Sequence, residues 1–160
     1  MRPAGTLGLK LAFLAAVATF AGGWLAYVNL WRDTDERPLR YRDLTAQLHV
    51  EPTLSFARRF RRSEQFADYL RRNAVAGAPQ PRIDFSRDEA LLVSAGPRSS
   101  TGYVLRIVAA VAARGRIVVA LREDAPTLRD PGRPRLSYPY RLLVFQRTHK
   151  PVFVRWLGRP

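Results

Sequence analysis

From residue 83 onward, apolar positions recur with a period of two between clusters of Gly, Pro, Ser and charge. That alternation predicts five strands, at about 84–95, 103–112, 116–123, 138–147 and 152–157. Within them Tyr103, Leu105, Ile107, Ala109 and Val111 fall on one phase, as do Ile117, Val119 and Leu121, and Tyr140, Leu142 and Val144. Arg106, Arg116, Arg122, Arg141 and Arg147 occupy the opposite phase, mixed with apolar residues. The pattern fits a sheet covered fully on one face and partly on the other, and Arg114-Gly115 is a tight hairpin turn. Upstream, 44–50 alternates apolar and polar and predicts a strand, ended by Glu51-Pro52, with a second strand in 53–62. Ser63 is placed to cap a helix over 63–73, with Phe66, Tyr69 and Leu70 on one face, Glu64 near its start and Arg71-Arg72 near its end. Residues 73–81, with Gly77, Pro79 and Pro81, form a connector. The expected fold class is α+β, mainly β: an antiparallel sheet or β-sandwich with one covering helix.

The turn-forming run Gly96-Pro97-Arg98-Ser99-Ser100-Thr101-Gly102-Tyr103 lies between two β-prone segments and reads as a loop joining two antiparallel strands. Gly102 implies either a positive φ or the close approach of another backbone. Alternate connections of an antiparallel succession lie at one end of a sheet. The loops 96–102 and 124–137 therefore belong together, and the turns 113–115 and 148–151 lie at the other end. The second loop carries Pro126, Pro131, Gly132 and Pro134, so it is extended and stiff. Arg98, Arg129, Arg133 and Arg135 share this end, with Tyr103 and Tyr138 at its base, and Arg and Tyr are enriched at binding hot spots. The candidate partner-binding residues are Arg98, Ser100, Thr101, Gly102, Tyr103, Arg129, Arg133, Tyr138 and Tyr140. Set against this is the plain reading of both loops as connections.

Residues 11–31 carry no charge. As a helix rising about 1.5 Å per residue they span roughly the 30 Å core of a bilayer. Trp24, Tyr27 and Trp31 fall at the interfacial end. A cleavable signal peptide with Ala16-Val17-Ala18 before the cut competes with an uncleaved signal anchor, and the continuation of the apolar run to Trp31 favours the anchor. Arg2 and Lys10 precede the run, while Arg32, Arg37, Arg40 and Arg42 follow it, so K/R number alone would put the C-terminal side in the cytoplasm. Because long domains translocate largely regardless of charge, the bulk of the chain is expected outside the cytoplasm, periplasmic or extracellular. The domain organisation expected is an anchor over 1–31, a juxtamembrane linker with strands and a helix over 32–82, and a β domain over 83–157.

The 160-residue chain holds 27 basic residues against 13 acidic ones, a formal charge of +14, and all the basic residues but Lys10 and Lys150 are Arg. Such a surface attracts nucleic acid, anionic lipid or an acidic protein. The arginines are dispersed, with Arg58-Arg59-Phe60-Arg61-Arg62 the densest cluster, so a generally basic, solvated surface is favoured over a nucleic-acid site. With no Cys, disulfides, thiolate zinc sites and a cysteine nucleophile are excluded. Ser99 or Ser100 and His149 belong to opposite ends of the sheet, and Asp88-Glu89 and Glu123-Asp124 are neighbours that face opposite ways in a strand. His49 lies on a polar phase with only His149 to join it. No metal cluster, P-loop or dinucleotide fingerprint occurs, so no cofactor and no enzymatic activity are expected.

Asp84-Phe85-Ser86, the Gly96-to-Tyr103 loop, Glu123-Asp124-Ala125-Pro126 and Ser137-Tyr138-Pro139-Tyr140 follow one another in the order seen in the C-terminal domain of PrcB-type protease complex subunits. The chain resembles that family over about 83–155, with Ser100 and Thr101 standing where Thr and Gly are usual. The resemblance implies a small β domain that binds and stabilises a peptidase complex without chemistry of its own. The Thr-Gly-Tyr loop is also similar to that of chagasin-like cysteine-peptidase inhibitors, although their later Trp-containing loop has no counterpart, Trp156 lying in the last strand. The expected function is a membrane-anchored, non-catalytic protein-binding module. The alternatives are a peptidase inhibitor and a basic nucleic-acid or anionic-lipid binder.

Overall fold

A computed structural model describes residues 36–158. The expected transmembrane anchor over 11–31 lies outside the described residues, and no helix among those described is long and apolar enough to cross a membrane. Among the described residues, eight strands form two four-stranded sheets. The first sheet has the order β2 (Tyr41–Asp43), β7 (Tyr140–Gln146), β4 (Asp88–Ala95), β3 (Ser55–Phe60), and all its pairs are antiparallel. The second has the order β1 (Arg37–Pro38), β5 (Val104–Ala113), β6 (Arg116–Asp124), β8 (Val152–Trp156), with β8 parallel to β6. The segment before residue 83 is thus woven into both sheets.

The sequence explains why the first sheet is central. In β4, Ala90-Leu91-Leu92-Val93 is a continuous apolar run followed by Ser94 and Ala95, and every one of these residues is buried. Such a run marks a strand covered on both faces. Leu91 and Val93, with Leu143 and Phe145 of β7, face the second sheet and meet Leu105, Ile117, Val119 and Leu121. Ala90 and Leu92, with Leu142 and Val144, face the other way and are covered by Leu44, Leu48 and the helix α1 (Ser63–Asn73). Phe66 and Tyr69 of that helix pack on Phe60, with ring centroids 5.2 and 5.5 Å apart. Tilted and edge-on aromatic pairs of this kind add about 0.5–1.5 kcal/mol each beyond area burial.

Several sequence expectations are corrected. Residues 44–50 do not form a strand. The Asp43 carboxylate accepts from the Thr45 amide at 2.9 Å and starts a single 3-10 turn, Thr45–Gln47. That turn brings Leu44 and Leu48 onto the sheet together, so their spacing serves a helical turn rather than an alternation. The helix is not capped by Ser63. Arg62 is the N-cap, with the extended backbone of a strand end (φ −136°, ψ 144°) and no side-chain cap, and Ser63 instead donates to Glu64 at 2.8 Å. The strand expected from 84 begins at Asp88, because Asp84 accepts from both the amide and the hydroxyl of Ser86 and closes a turn first. In β5 the register shifts between Ile107 and Ala109, so Val108 is bulged. Residues beyond it change face: Ala110 and Ala112, not Ala109 and Val111, line the core. Finally, 96–102 does not join paired strands but crosses from one sheet to the other.

Candidate interaction site

The two loops expected together do lie side by side, stitched by backbone. Arg98 and Ser137 exchange N–H···O bonds of 2.8 and 2.9 Å. The Thr101 amide donates to the Arg133 carbonyl at 3.1 Å, and the Arg133 amide returns a bond to the Thr101 hydroxyl at 3.0 Å. Ser137 Oγ donates to the Ser100 carbonyl at 2.5 Å, and Ser100 Oγ bridges the Pro131 carbonyl and the Gly102 amide. The departure at Thr101 is therefore accommodated: no non-glycine residue among those described has a positive φ, and the Thr101 side chain takes up an amide of the neighbouring loop. Of the two readings of Gly102, close approach is correct. A Cβ there would lie 2.6 Å from Pro126 Cβ and 3.3 Å from Gly132 Cα.

Arg98 braces this assembly from within. Its Nε and Nη2 donate to Glu123 Oε1 and Oε2 at 2.6 and 2.7 Å, a two-pronged pair, and its guanidinium lies 5.7 Å from the Tyr103 ring centroid. Hydrogen bonding to Glu123 raises the proton affinity of the guanidinium further, against the opposing effect of burial, so it stays cationic. The Glu123 side chain is only 2 % exposed, so this pair is shielded from solvent screening in a way that a surface pair is not.

The outer side of the 124–137 arm is of a different character. Thr127 and Asp130 exchange amide–carbonyl bonds of 3.0 and 3.1 Å, closing a turn whose tip is Leu128-Arg129. Leu128 is fully exposed and Leu136 largely so. The side chains of Arg129, Arg133 and Arg135 project into solvent without an ion-pair partner among the described residues. Beside the arm a cleft of about 670 Å³ is lined by Gly102, Val104, Arg106, Arg122, Asp124 and Pro126, among others. Both Arg106 and Arg122 bond the one carboxylate of Asp124. Partial burial pushes the Asp124 carboxyl up, but the hydrogen bonds and charges of those two arginines outweigh it and hold it below the ordinary carboxylate range.

The structure brings Arg98, Ser100, Thr101, Gly102, Tyr103, Arg129 and Arg133 to one end. Arg98, Ser100, Thr101 and Gly102 act as the internal fastening, and Arg129 and Arg133 face outward. Tyr138 is half-buried at the base of the arm. Tyr140 points to the helix side of the first sheet, where its hydroxyl donates to the Leu48 carbonyl and burial raises its pKa. His149 belongs to the turn at the far end of the strands, as the pairing of Asp88 with Gln146 and of Ser94 with Tyr140 fixes. No grouping of His, Asp and Glu that could hold a metal occurs among the described residues. Sequence reasoning missed Glu123, Leu128 and Leu136. For the leucines the available signal was an apolar residue without alternation inside a Pro- and Arg-rich loop.

The described residues thus form a two-sheet β module with a braced pair of loops at one end. Residues 90–146 match the family model described as PrcB C-terminal, a span running from β4 to the last residue of β7 and holding both loops. Comparison with curated proteins and with solved structures gave no match.

Proposed function

We propose that the chain is a membrane-anchored, non-catalytic accessory module of a peptidase complex. In this reading the 11–31 helix tethers it, the 36–158 domain lies outside the cytoplasm, and the partner is gripped by the loops 96–102 and 124–137. The observation that carries the reading is the division of labour within the stretch similar to PrcB C-terminal domains. One set of side chains fastens the two loops to each other, and a second set, Arg129, Arg133, Arg135, Leu128 and Leu136, is left uncommitted on the outside. A pre-braced platform loses little conformational entropy on docking, so its exposed arginines and leucines are available as anchors.

The test is affinity purification of the full-length chain from detergent-solubilised membranes of its own host. A partner containing a peptidase subunit should co-purify with the wild type and be lost from an Arg129→Glu/Arg133→Glu variant that keeps its circular dichroism spectrum. Recovery of the same complex with that variant would refute the loop platform. A C-terminal alkaline phosphatase fusion, active only outside the cytoplasm, should be active, and an inactive fusion would overturn the orientation.

A further inference from the structure

A second surface, independent of the loops, lies along β3. That strand pairs with β4 over its whole length, from Ser55↔Ala95 to Phe60↔Ala90, and its other edge carries no strand among the described residues. Backbone groups on such an edge are open to another chain. A cleft of about 500 Å³ follows this edge, bounded by residues 53–58 on one side and by Tyr69, Arg72 and Asn73 of α1 on the other.

Three features give the cleft a chemical preference. Tyr69 is 4 % exposed, and its enclosed hydroxyl has no hydrogen-bond partner among the described residues, an unfavourable state that a ligand acceptor would relieve. Arg58 is held over the Phe60 ring at 5.2 Å, and Arg72 uses Nε on the Asp68 carbonyl, with neither guanidinium ion-paired to a carboxylate among the described residues. No acidic residue lines the cleft, while Leu54, 71 % exposed, offers an apolar contact at its mouth. A second copy of this chain, with its formal charge of +14, would set like charges against Arg58 and Arg72, so the complementary occupant is an acidic chain.

We propose that the β3 edge receives an extended acidic segment of a partner protein as an added strand, its backbone pairing with β3 and a carboxylate seated between Arg58, Arg72 and the Tyr69 hydroxyl. Main-chain bonds supply affinity in this mode, and pockets for alternate side chains supply selectivity.

The test is fluorescence anisotropy of the full-length chain with a labelled short peptide of alternating valine and glutamate. Three control peptides accompany it: glutamine in place of glutamate, the parent N-methylated at every second residue, and a glycine- and proline-interrupted acidic sequence. Saturable binding of the parent is expected, weakened about tenfold or more by each control and by Arg58→Ala/Arg72→Ala. Tyr69→Phe should weaken binding severalfold without lowering the melting temperature, which separates a ligand contact from a merely structural hydroxyl. Absence of parent binding, or equal binding of the N-methylated or interrupted peptide, would reduce the cleft to a basic patch and overturn the proposal. Displacement of the peptide by anionic vesicles of phosphatidylserine alone, with N-methylation without effect, would do the same. Arg129→Glu/Arg133→Glu should leave peptide binding intact. Loss there would move the peptide to the loops and sink the β3 assignment without touching the loop reading.

Discussion

Replacing Arg98 by Ala should unfasten the two loops and destabilise the domain far more than a surface arginine would. The Glu123 side chain is 2 % exposed and that of Arg98 29 %, and both carboxylate oxygens are engaged at 2.6 and 2.7 Å. Removing one partner of a buried pair leaves the other charge stranded, which costs roughly 3–5 kcal/mol. Because Arg98 is partly wet, the lower end, about 3 kcal/mol, is expected for Arg98→Ala and for Glu123→Leu alike. Against a total stability of about 5–15 kcal/mol this is a large share. The double variant Arg98→Ala/Glu123→Leu strands no charge and should recover to within about 1–2 kcal/mol of the wild type. Urea unfolding followed by far-UV circular dichroism, with m-values compared, measures all four corners of the cycle. Arg98→Lys should fall between, since an ammonium keeps the charge but not the fork. If Arg98→Ala costs under about 1 kcal/mol, or the single changes add within about 0.5 kcal/mol, the pair is not coupled and the internal brace is wrong.

The remaining expectations are narrower. Gly102→Ala would place a Cβ 2.6 Å from Pro126 Cβ, so an overpacking cost of about 1–3 kcal/mol is expected by the same denaturation assay, and a neutral outcome would mean the loops are not in contact there. Burial pushes the Tyr69 phenol up from 10.0 to about 12, with the neighbouring Tyr140 adding and Arg58 opposing. A raised folded pKa contributes stability that is whole below the unfolded value and is lost as pH climbs towards about 12. Absorbance titration near 295 nm should show Tyr69 ionising late, and Tyr69→Phe should flatten the alkaline loss; an ordinary phenol titration would contradict the burial. Asp124 has a depressed folded pKa, so its contribution is present above the ordinary value of 3.8 and disappears as pH falls below it. The stability difference between wild type and Asp124→Asn should therefore be constant at neutral pH and vanish in acid, and a difference that persists in acid would rule out the ionic origin.

Legibility from sequence divided along physical lines. Strand β4, the hairpin at Arg114-Gly115 and the helix face of Phe66 and Tyr69 were readable, because each is encoded by local periodicity or by one turn residue. The partition of strands between two sheets was not, since alternation says which residues share a face but not which strands share hydrogen bonds. The bulge at Val108 left no mark either: valine is a good strand residue on both sides of a register shift, and the fault lies in the count rather than the composition. The 44–50 segment misled because Leu44, Leu48 and Val50 satisfy an alternating template and a one-turn template equally, and Asp43 decides the matter from outside the window.

The candidate site shows the same boundary more sharply. Strand polarity alone placed 96–102 beside 124–137, because the direction of an antiparallel chain fixes which connections share an end, however the sheets are divided. What polarity could not give was the role of each residue there. Arg98 and Arg129 are the same side chain in similar loops, yet one is sequestered by Glu123, 25 positions away, and the other stands free at the tip of a turn. That difference is made by a long-range carboxylate that no local pattern announces. Under the proposed function, substitutions at Arg98 are expected to act on partner binding through the fold, and those at Arg129 and Arg133 directly. Within this pair of loops, a variant that loses the co-purified partner while keeping its full stability should therefore map to the outer arm, and mapping to Arg98 instead would break the link between the brace and the platform.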